Sequence, residues 1–484
     1  MNAPLRRLAV VAFVLFATLL VSTTWTQFVA AGDLGADGRN TRTLIEERGR
    51  ERGPIVVGDQ AVAASVAVDD VYGFQRTYAG GDLYAAVTGF YSVTFGATGL
   101  EATESDLLTG TADRLFYRRV SDLLTGQEPS GASVETTIDP KVQQAAWDAL
   151  GDQRGAVVAL DPRTGNILAM VSKPSFDPNT IAVHDQKAAT AARQALLDDP
   201  TRPLENRAIA GRLYPPGSVF KLVTAATALE SGRFDPNSVL PGPAALDLPQ
   251  TSRDLPNSGG RACGPDDQVS LTDALRISCN TAFGWLGMEV GGDALRAQAQ
   301  KFGFGQDLRV PLKVTPSSVP ADLNRPQEAQ SAIGQYDVRV TPLQVAMVSA
   351  AIANGGMLMK PNLVAAVRAD DLEVIEQPQP TELGQAISAT TAEQLTAMMR
   401  AVVEAGTGRA AQINGVAVAG KTGTAQHAEG RAPHAWFTAF APADDPRVAV
   451  AVVVEEGGNA GDEASGGRTA APIARAVIEA VLSR

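Results

Sequence analysis

The segment from Tyr214 to Leu229 sets the strongest constraint on how this chain can fold. After Pro215-Pro216-Gly217 it reads Ser-Val-Phe-Lys-Leu-Val-Thr-Ala-Ala-Thr-Ala-Leu. Proline tolerates a first helical turn and glycine permits a strained approach, so a rigid turn here feeds a helix with Ser218 near its start. Val219, Phe220, Leu222, Val223 and Ala225 cover several faces of that helix, and a helix apolar on most sides belongs inside a fold. Ser218 and Lys221 lie three residues apart and share a face, which brings the amine within reach of the hydroxyl. An apolar surround also lowers the lysine pKa, because desolvation disfavours its charged form. The stretch thus reads as a serine nucleophile with a base beside it, placed where the fold must bury it.

An isolated Ser-x-x-Lys is common on helices, but two further motifs follow it. Ser278-Cys279-Asn280 ends the helix-like stretch Val269 to Ile277. Lys421-Thr422-Gly423-Thr424-Ala425 follows the alternating run Val416 to Gly420, which reads as a strand. In this order the three resemble the serine active-site set of penicillin-binding proteins and serine β-lactamases. The likeness extends to Gly155–Met170, Ser175–Asn179, Asn206-Arg207-Ala208, Gly334-Gln335, Thr341-Pro342 and Ala353–Gly356. Upstream, Arg52-Gly-Pro-Ile55, Gly99-Leu-Glu101 and Thr137-Ile-Asp139 resemble the non-catalytic region of class B penicillin-binding proteins, the monofunctional D,D-transpeptidases.

That resemblance implies an α+β fold: a transpeptidase domain at 151–484, built as an antiparallel sheet flanked by helices, above a non-catalytic, dimerisation-like pedestal at 32–150. The pedestal is too short, and lacks the motifs, for a glycosyltransferase domain. Hairpins are expected from Val157–Leu160 with Ile167–Met170 and from Ala435–Phe440 with Val448–Val454, and a helix from Ala471 to Leu482. Asp370–Pro380 and Glu455–Gly467 read as exposed loops. The resemblance also assigns roles. Ser218 is the nucleophile and Lys221 its base. Ser278 relays a proton, Asn280 holds Lys221 and the substrate amide, and Lys421 supplies positive potential. Thr422 and Thr424 bind a terminal carboxylate, Gly423 lets the substrate backbone lie close to the strand, and the N–H groups of Ser218 and Thr424 form an oxyanion hole. The implied substrate is a peptidoglycan stem peptide ending in D-Ala-D-Ala, and β-lactams are the implied inhibitors.

Composition bounds the rest. The 484 residues, 45% hydrophobic, suffice for at least one large core. A net charge of −12 with no basic block leaves nothing to meet nucleic-acid phosphates. Three histidines, His184, His427 and His434, form no cluster with cysteine, so neither a metal nor another cofactor is implied. Arg6 and Arg7 precede an uncharged run from Leu8 to Ala31, long enough to cross a bilayer with the N-terminus cytoplasmic and the remainder outside. Val29-Ala30-Ala31 offers a cleavage site, but signal h-regions are about 7–15 residues long, so residues 1–31 read as a cytoplasmic tip and single-pass anchor. On the far side of a membrane the lone pair Cys263 and Cys279 is expected to be bridged.

Three functions compete. A transpeptidase shields its acyl-enzyme from water, whereas a D,D-carboxypeptidase or β-lactamase positions a water with a base. The nearest echo of the class A β-lactamase Glu-x-x-Leu-Asn loop is Ala321-Asp322-Leu323-Asn324, with alanine in the place of glutamate. A non-catalytic division scaffold or β-lactam sensor is the third reading, opposed by the intact motifs. Division or elongation proteins are the possible partners.

Overall fold

The structure is a computed structural model that describes residues 2–30, 48–115, 131–426 and 430–483. It divides into two compact units: the chain to Glu51 together with Ser65–Gln75, and Arg52–Ala64 together with Arg76–Arg484.

In the first unit, Asn2–Thr24 is α-helical and continues as a π-helical turn over Trp25–Val29. The helical span Ala3–Val29 is long and apolar enough to cross a membrane. The hydroxyls of Thr18, Thr23 and Thr26 donate to carbonyls four residues back, so these polar groups are satisfied within the helix, as hydrocarbon requires.

The second unit carries a five-stranded sheet, strands of a six-stranded one and four two-stranded pairs among the described residues. In the mixed N-terminal sheet, Ile55–Val57 runs parallel to Ser133–Thr136, with Ile55 opposite Val134. Ser133–Thr136 is joined on its other side by Val364–Arg368, antiparallel, with Val134 opposite Val367. Val374–Glu376 then extends the sheet, so part of the stretch Asp370–Pro380 is strand, where an exposed loop was expected. The motifs Arg52–Ile55 and Gly99–Glu101 meet at a buried cluster. Glu101 receives Arg52 Nε at 2.9 Å and Arg76 Nε at 2.6 Å, and Tyr78 donates to it at 3.1 Å. Three donors compensate a carboxylate with no exposed surface.

The five-stranded sheet is antiparallel throughout, in the order Ala419–Ala425, His434–Ala441, Val448–Val454, Gly155–Leu160, Ile167–Lys173. Both hairpins and the terminal helix Ala471–Leu482 lie where the sequence suggested. Alternating side chains feed two cores. Val157, Val450 and Val452 face Val142 of the helix Pro140–Leu150 and Val477 of the terminal helix. Val158, Ala451 and Trp436 face the central helices. Among these, Pro342–Ala353 is buried along its first eleven residues and Lys221–Glu230 along its first nine. The strand expected at Val416–Gly420 begins instead at Ala419 and runs through Ala425, because its pairing with His434–Ala441 continues to Ala425 opposite His434. The Lys-Thr-Gly motif is therefore inside the strand, and that strand is the sheet's edge.

Candidate active site

Ser218 sits in a 3₁₀ turn, Gly217–Phe220, and Lys221 is the first residue of the α-helix that follows. Three contacts fix the turn. Gly217 has φ +55°, and a Cβ there would lie 2.8 Å from Thr424 O and 3.0 Å from Ala425 Cβ, so only glycine fits between turn and edge strand. Gly217 N donates to Gly334 O at 2.9 Å, and Trp436 Nε1 donates to Pro215 O at 3.1 Å. Gly334 is the left-handed residue that closes the helix Arg325–Ala332, with Gln335 N bonded to Gln330 O and Gly334 N to Ser331 O, a Schellman end.

Ser278 occupies the same kind of position after the helix Leu271–Arg276. Cys279 N bonds Ala274 O and Ser278 N bonds Leu275 O, and Ser278 has φ +64°. Glycine is usual here. A serine held in this conformation carries strain of about 1–3 kcal/mol, and in exchange the turn presents a hydroxyl.

That hydroxyl lies between two amines. Lys221 Nζ is 2.8 Å from Ser278 O, 3.3 Å from Ser278 Oγ and 2.8 Å from Asn280 Oδ1, while Lys421 Nζ is 2.8 Å from Ser278 Oγ. Both lysines are fully buried. Burial, followed by repulsion from Lys421, holds Lys221 well below the usual lysine range, and burial brings Lys421 down to about 7. An amine brought to about 7, as Lys421 is, exchanges protons near neutral pH. Among the described residues the Ser218 hydroxyl makes no hydrogen bond; the Lys221 amine points to the second motif.

Asn280 begins the helix Asn280–Val290. Its Nδ2 donates to Pro256 O at 3.2 Å, which directs Oδ1 to Lys221. The helix start is capped from outside: Asn257 Oδ1 accepts from Asn280 N at 2.9 Å and from Thr281 N at 3.1 Å, while Asn257 Nδ2 donates to Pro243 O and Arg261 O. Cys263 and Cys279 are bonded, tying this loop to the residue between Ser278 and Asn280. Nothing in the sequence distinguished Asn257 from an ordinary turn residue; Pro256-Asn257-Ser258-Gly259-Gly260 reads only as a loop.

On the edge strand, Thr422 Oγ1 is 2.7 Å from Thr407 Oγ1, and Thr422 and Thr424 both face the cleft. Gly423 faces the other way, where a Cβ would meet Trp436 Cβ at 2.9 Å and Val219 Cγ1 at 3.0 Å, so its bareness lets the strand pack on the Ser218 turn. The cleft has a volume of about 800 Å³. Ser218, Ser278, Asn280, Thr422 and Thr424 line it, with Ser465 to Gly467 closing one wall. The expected exposed loop Glu455–Gly467 is thus partly internal, since Gly466 is buried against Trp436 O and Gly423. The described residues lining the cleft carry no carboxylate or imidazole. A nucleophilic hydroxyl, two amines with lowered pKa and an unpaired strand edge suit acyl transfer from an extended peptide.

Residues 155–479 match the family described as the penicillin binding protein transpeptidase domain, and residues 52–134 the penicillin binding protein A dimerisation domain. The chain is 48% identical to the peptidoglycan D,D-transpeptidase PbpA of Mycolicibacterium smegmatis, covering 100% of this chain and 99% of that one. It is 45% identical, with the same coverage, to PbpA of Mycobacterium tuberculosis. Penicillin-binding protein A of M. tuberculosis, solved as a penicillin G acyl-enzyme complex, superposes with a TM-score of 0.85 at 45% identity, over 90% of this chain and 100% of that one. Its ceftriaxone acyl-enzyme complex gives 0.87 at 44% identity with the same coverage. With its three motifs gathered in one cleft, the chain belongs to the penicillin-binding protein transpeptidase family.

Proposed function

We propose that the protein is a peptidoglycan D,D-transpeptidase, and the observation that carries the reading is the Lys221–Ser278–Lys421 arrangement, whose Ser278 lines the same cleft as Ser218. A donor peptide lies along the free edge of Ala419–Ala425, with its terminal carboxylate at Thr422 and Thr424. Ser218 Oγ attacks the carbonyl of the penultimate D-Ala as its proton passes to Lys221. The N–H groups of Ser218 and Thr424 stabilise the oxyanion, a device often worth about 3 kcal/mol per donor. The tetrahedral intermediate collapses with cleavage of the peptide C–N bond, and the departing D-Ala nitrogen takes a proton through Ser278. An amine of a second stem then attacks the ester carbonyl, loses its proton by the same route and regenerates Ser218, leaving an amide cross-link. A β-lactam enters as the donor does, but its ring-opened product remains attached to the serine.

Hydrolysis is the weaker reading. Asn324 of the β-lactamase-like echo is the N-cap of Arg325–Ala332, with its side chain accepting from Gln327 N, and the described cleft lining offers no carboxylate to activate water. The N-terminal helix supports a single-pass anchor with the catalytic region outside, and residues 32–150 a non-catalytic pedestal whose sheet receives Val364–Arg368 from the catalytic region. Proteins of the division or elongation machinery are the partners this topology allows.

The test is acylation by penicillin followed by intact-mass measurement and peptide mapping. One adduct on Ser218, absent in Ser218→Ala, is expected. An adduct on another residue overturns the assignment.

A further inference from the structure

The cleft does not end at the catalytic residues. Gln335 and Gln426 line it and also line a second cavity of about 250 Å³. The order along the edge strand fixes what reaches it. With a terminal carboxylate at Thr422 and the reacting carbonyl beside Ser218 and Thr424, the upstream part of the donor leaves past Gln426, into this compartment.

Its carboxylates are already satisfied. Glu455 Oε1 accepts from Arg207 Nε at 2.9 Å and Tyr214 OH at 2.7 Å, and Glu455 Oε2 meets Arg154 Nε at 2.6 Å. Glu456 meets Arg154 at 2.9 Å and Arg431 at 2.7 Å. Of the arginines that line the compartment, Arg431 is held by Glu456, but Arg212 and Arg339 meet no buried carboxylate among the described residues. Arg212 lines the compartment, is exposed, and its guanidinium has no hydrogen bond or ion pair among the described residues. Among the described residues Arg339 has only the exposed Asp337 at 3.2 Å and two backbone carbonyls, and exposed pairs of that kind are weak. At the rim, Tyr336 is held at φ +59° with 45% of its surface exposed, the sort of backbone strain that clusters at ligand sites.

We infer that this compartment selects donor peptides carrying a carboxylate on the residue upstream of D-Ala-D-Ala, with Arg212 and Arg339 as its ligands. The inference rests on the transpeptidase reading for the placement of the peptide. Guanidinium pairs carboxylate in charge-assisted bonds about twice as strong as neutral ones, so a carboxamide in the same place is the weaker ligand.

The experiment uses the full chain in detergent with Ser218→Ala, which forms no acyl-enzyme, and two N-acetylated peptides ending in D-Ala-D-Ala. They differ only in whether the upstream side chain bears a carboxylate or the matching carboxamide, and NMR titration gives both Kd values. The carboxylate peptide is expected to bind about tenfold more tightly, the ratio shrinking as salt rises. Adding Arg212→Ala and Arg339→Ala brings the ratio to about one. Should that variant fail to fold, Arg212→Lys with Arg339→Lys keeps the charge and is expected to keep most of the preference. Equal affinities in the starting protein, or a preference that survives both alanines, overturns the inference. Failure of the native protein to acylate with penicillin strikes instead at the transpeptidase reading, and the two outcomes are read separately.

Discussion

The Lys221 and Lys421 amines converge on a single oxygen, Ser278 Oγ, at 3.3 and 2.8 Å. Neither makes an ion pair among the described residues, and both are fully buried. Desolvation is therefore opposed by hydrogen bonds but by no carboxylate, and it sets the protonation of the site. Two cations this close cannot both stay charged without cost, so Lys421 favours the neutral, basic form of Lys221.

Acylation by penicillin is predicted to fall on the acid side as Lys221 takes up a proton. Lys421→Ala removes the second cause of the low Lys221 pKa, so the acid limb moves to higher pH. The check is a pH profile of the second-order acylation rate for both proteins, each confirmed folded by circular dichroism. A limb that stays in place or moves to lower pH contradicts the coupling. Lys221→Ala itself is expected to slow acylation by at least about 10²-fold on the plateau above the acid limb, with the difference shrinking as pH falls along that limb.

Stability carries the same signature. Between about 7 and the ordinary lysine value near 10.4, folded Lys421 binds fewer protons than the unfolded chain. Stability then rises with pH, because unfolding takes up protons. The cost of burying the amine is full below about 7 and gone above the unfolded pKa. Lys421→Met is predicted to raise the melting temperature more at pH 6 than at pH 10. An equal change at both pH values sinks the idea.

Much of this was legible in the chain, for physical reasons that differ by region. The edge-strand motif and the hairpins announce themselves through alternation and Gly or Thr-Gly turns, and the Ser218 helix through apolar residues on most of its faces. The residues that aim the site were not. Asn257 acts through an amide whose partners, Asn280 N and Thr281 N, are close only after folding. Trp436 reads as a strand aromatic until its indole is seen on Pro215 O. Gly423 read as room for substrate, and only the packing of Val219 and Trp436 around it shows what the missing Cβ does. Glu455, in a stretch that looks like an acidic loop, is the buried partner of Arg207, Arg154 and Tyr214.

Gly217→Ala is predicted to damage the site without touching a reacting group. Its positive φ costs an L-residue about 1–2 kcal/mol, and the new Cβ presses on Thr424 O and Ala425. A lower melting temperature with slowed acylation is expected. Unchanged kinetics would mean that the turn and the edge strand move apart without consequence.

Asn257→Ala leaves the Asn280 and Thr281 N–H groups uncapped and the Arg261 carbonyl without its donor, while Pro243 O keeps the Thr281 hydroxyl at 2.9 Å. Loss of an N-cap costs about 0.5–2 kcal/mol. Because Asn280 Oδ1 is aimed at Lys221, the acylation step at saturating penicillin should slow more than non-covalent affinity weakens, measured by stopped-flow kinetics. Equal losses in both would reduce Asn257 to a stabilising role.

The bond between Cys263 and Cys279 closes a loop of 16 residues in sequence separation. In the chain-entropy account, a loop of about 15 residues corresponds to roughly 3 kcal/mol. The bond also joins the residue between Ser278 and Asn280 to the loop that carries Pro256 and Asn257, so reduction loosens the relay and the Asn280 contact together. The Ser218 turn and the Lys421 strand are held by separate contacts, Gly217 N to Gly334 O and the pairing of Lys421 with Thr438, and should persist. Reduced protein is therefore predicted to melt at a lower temperature and to acylate more slowly, with a smaller change in non-covalent affinity. Cys263→Ala with Cys279→Ala should reproduce the slow state and show no further response to reductant, which separates the bond from other effects of the reagent. If the double variant acylates at the rate of the native protein, the Asn257 cap and the Schellman turn at Ser278 suffice to hold the second motif, and the disulfide contributes stability alone.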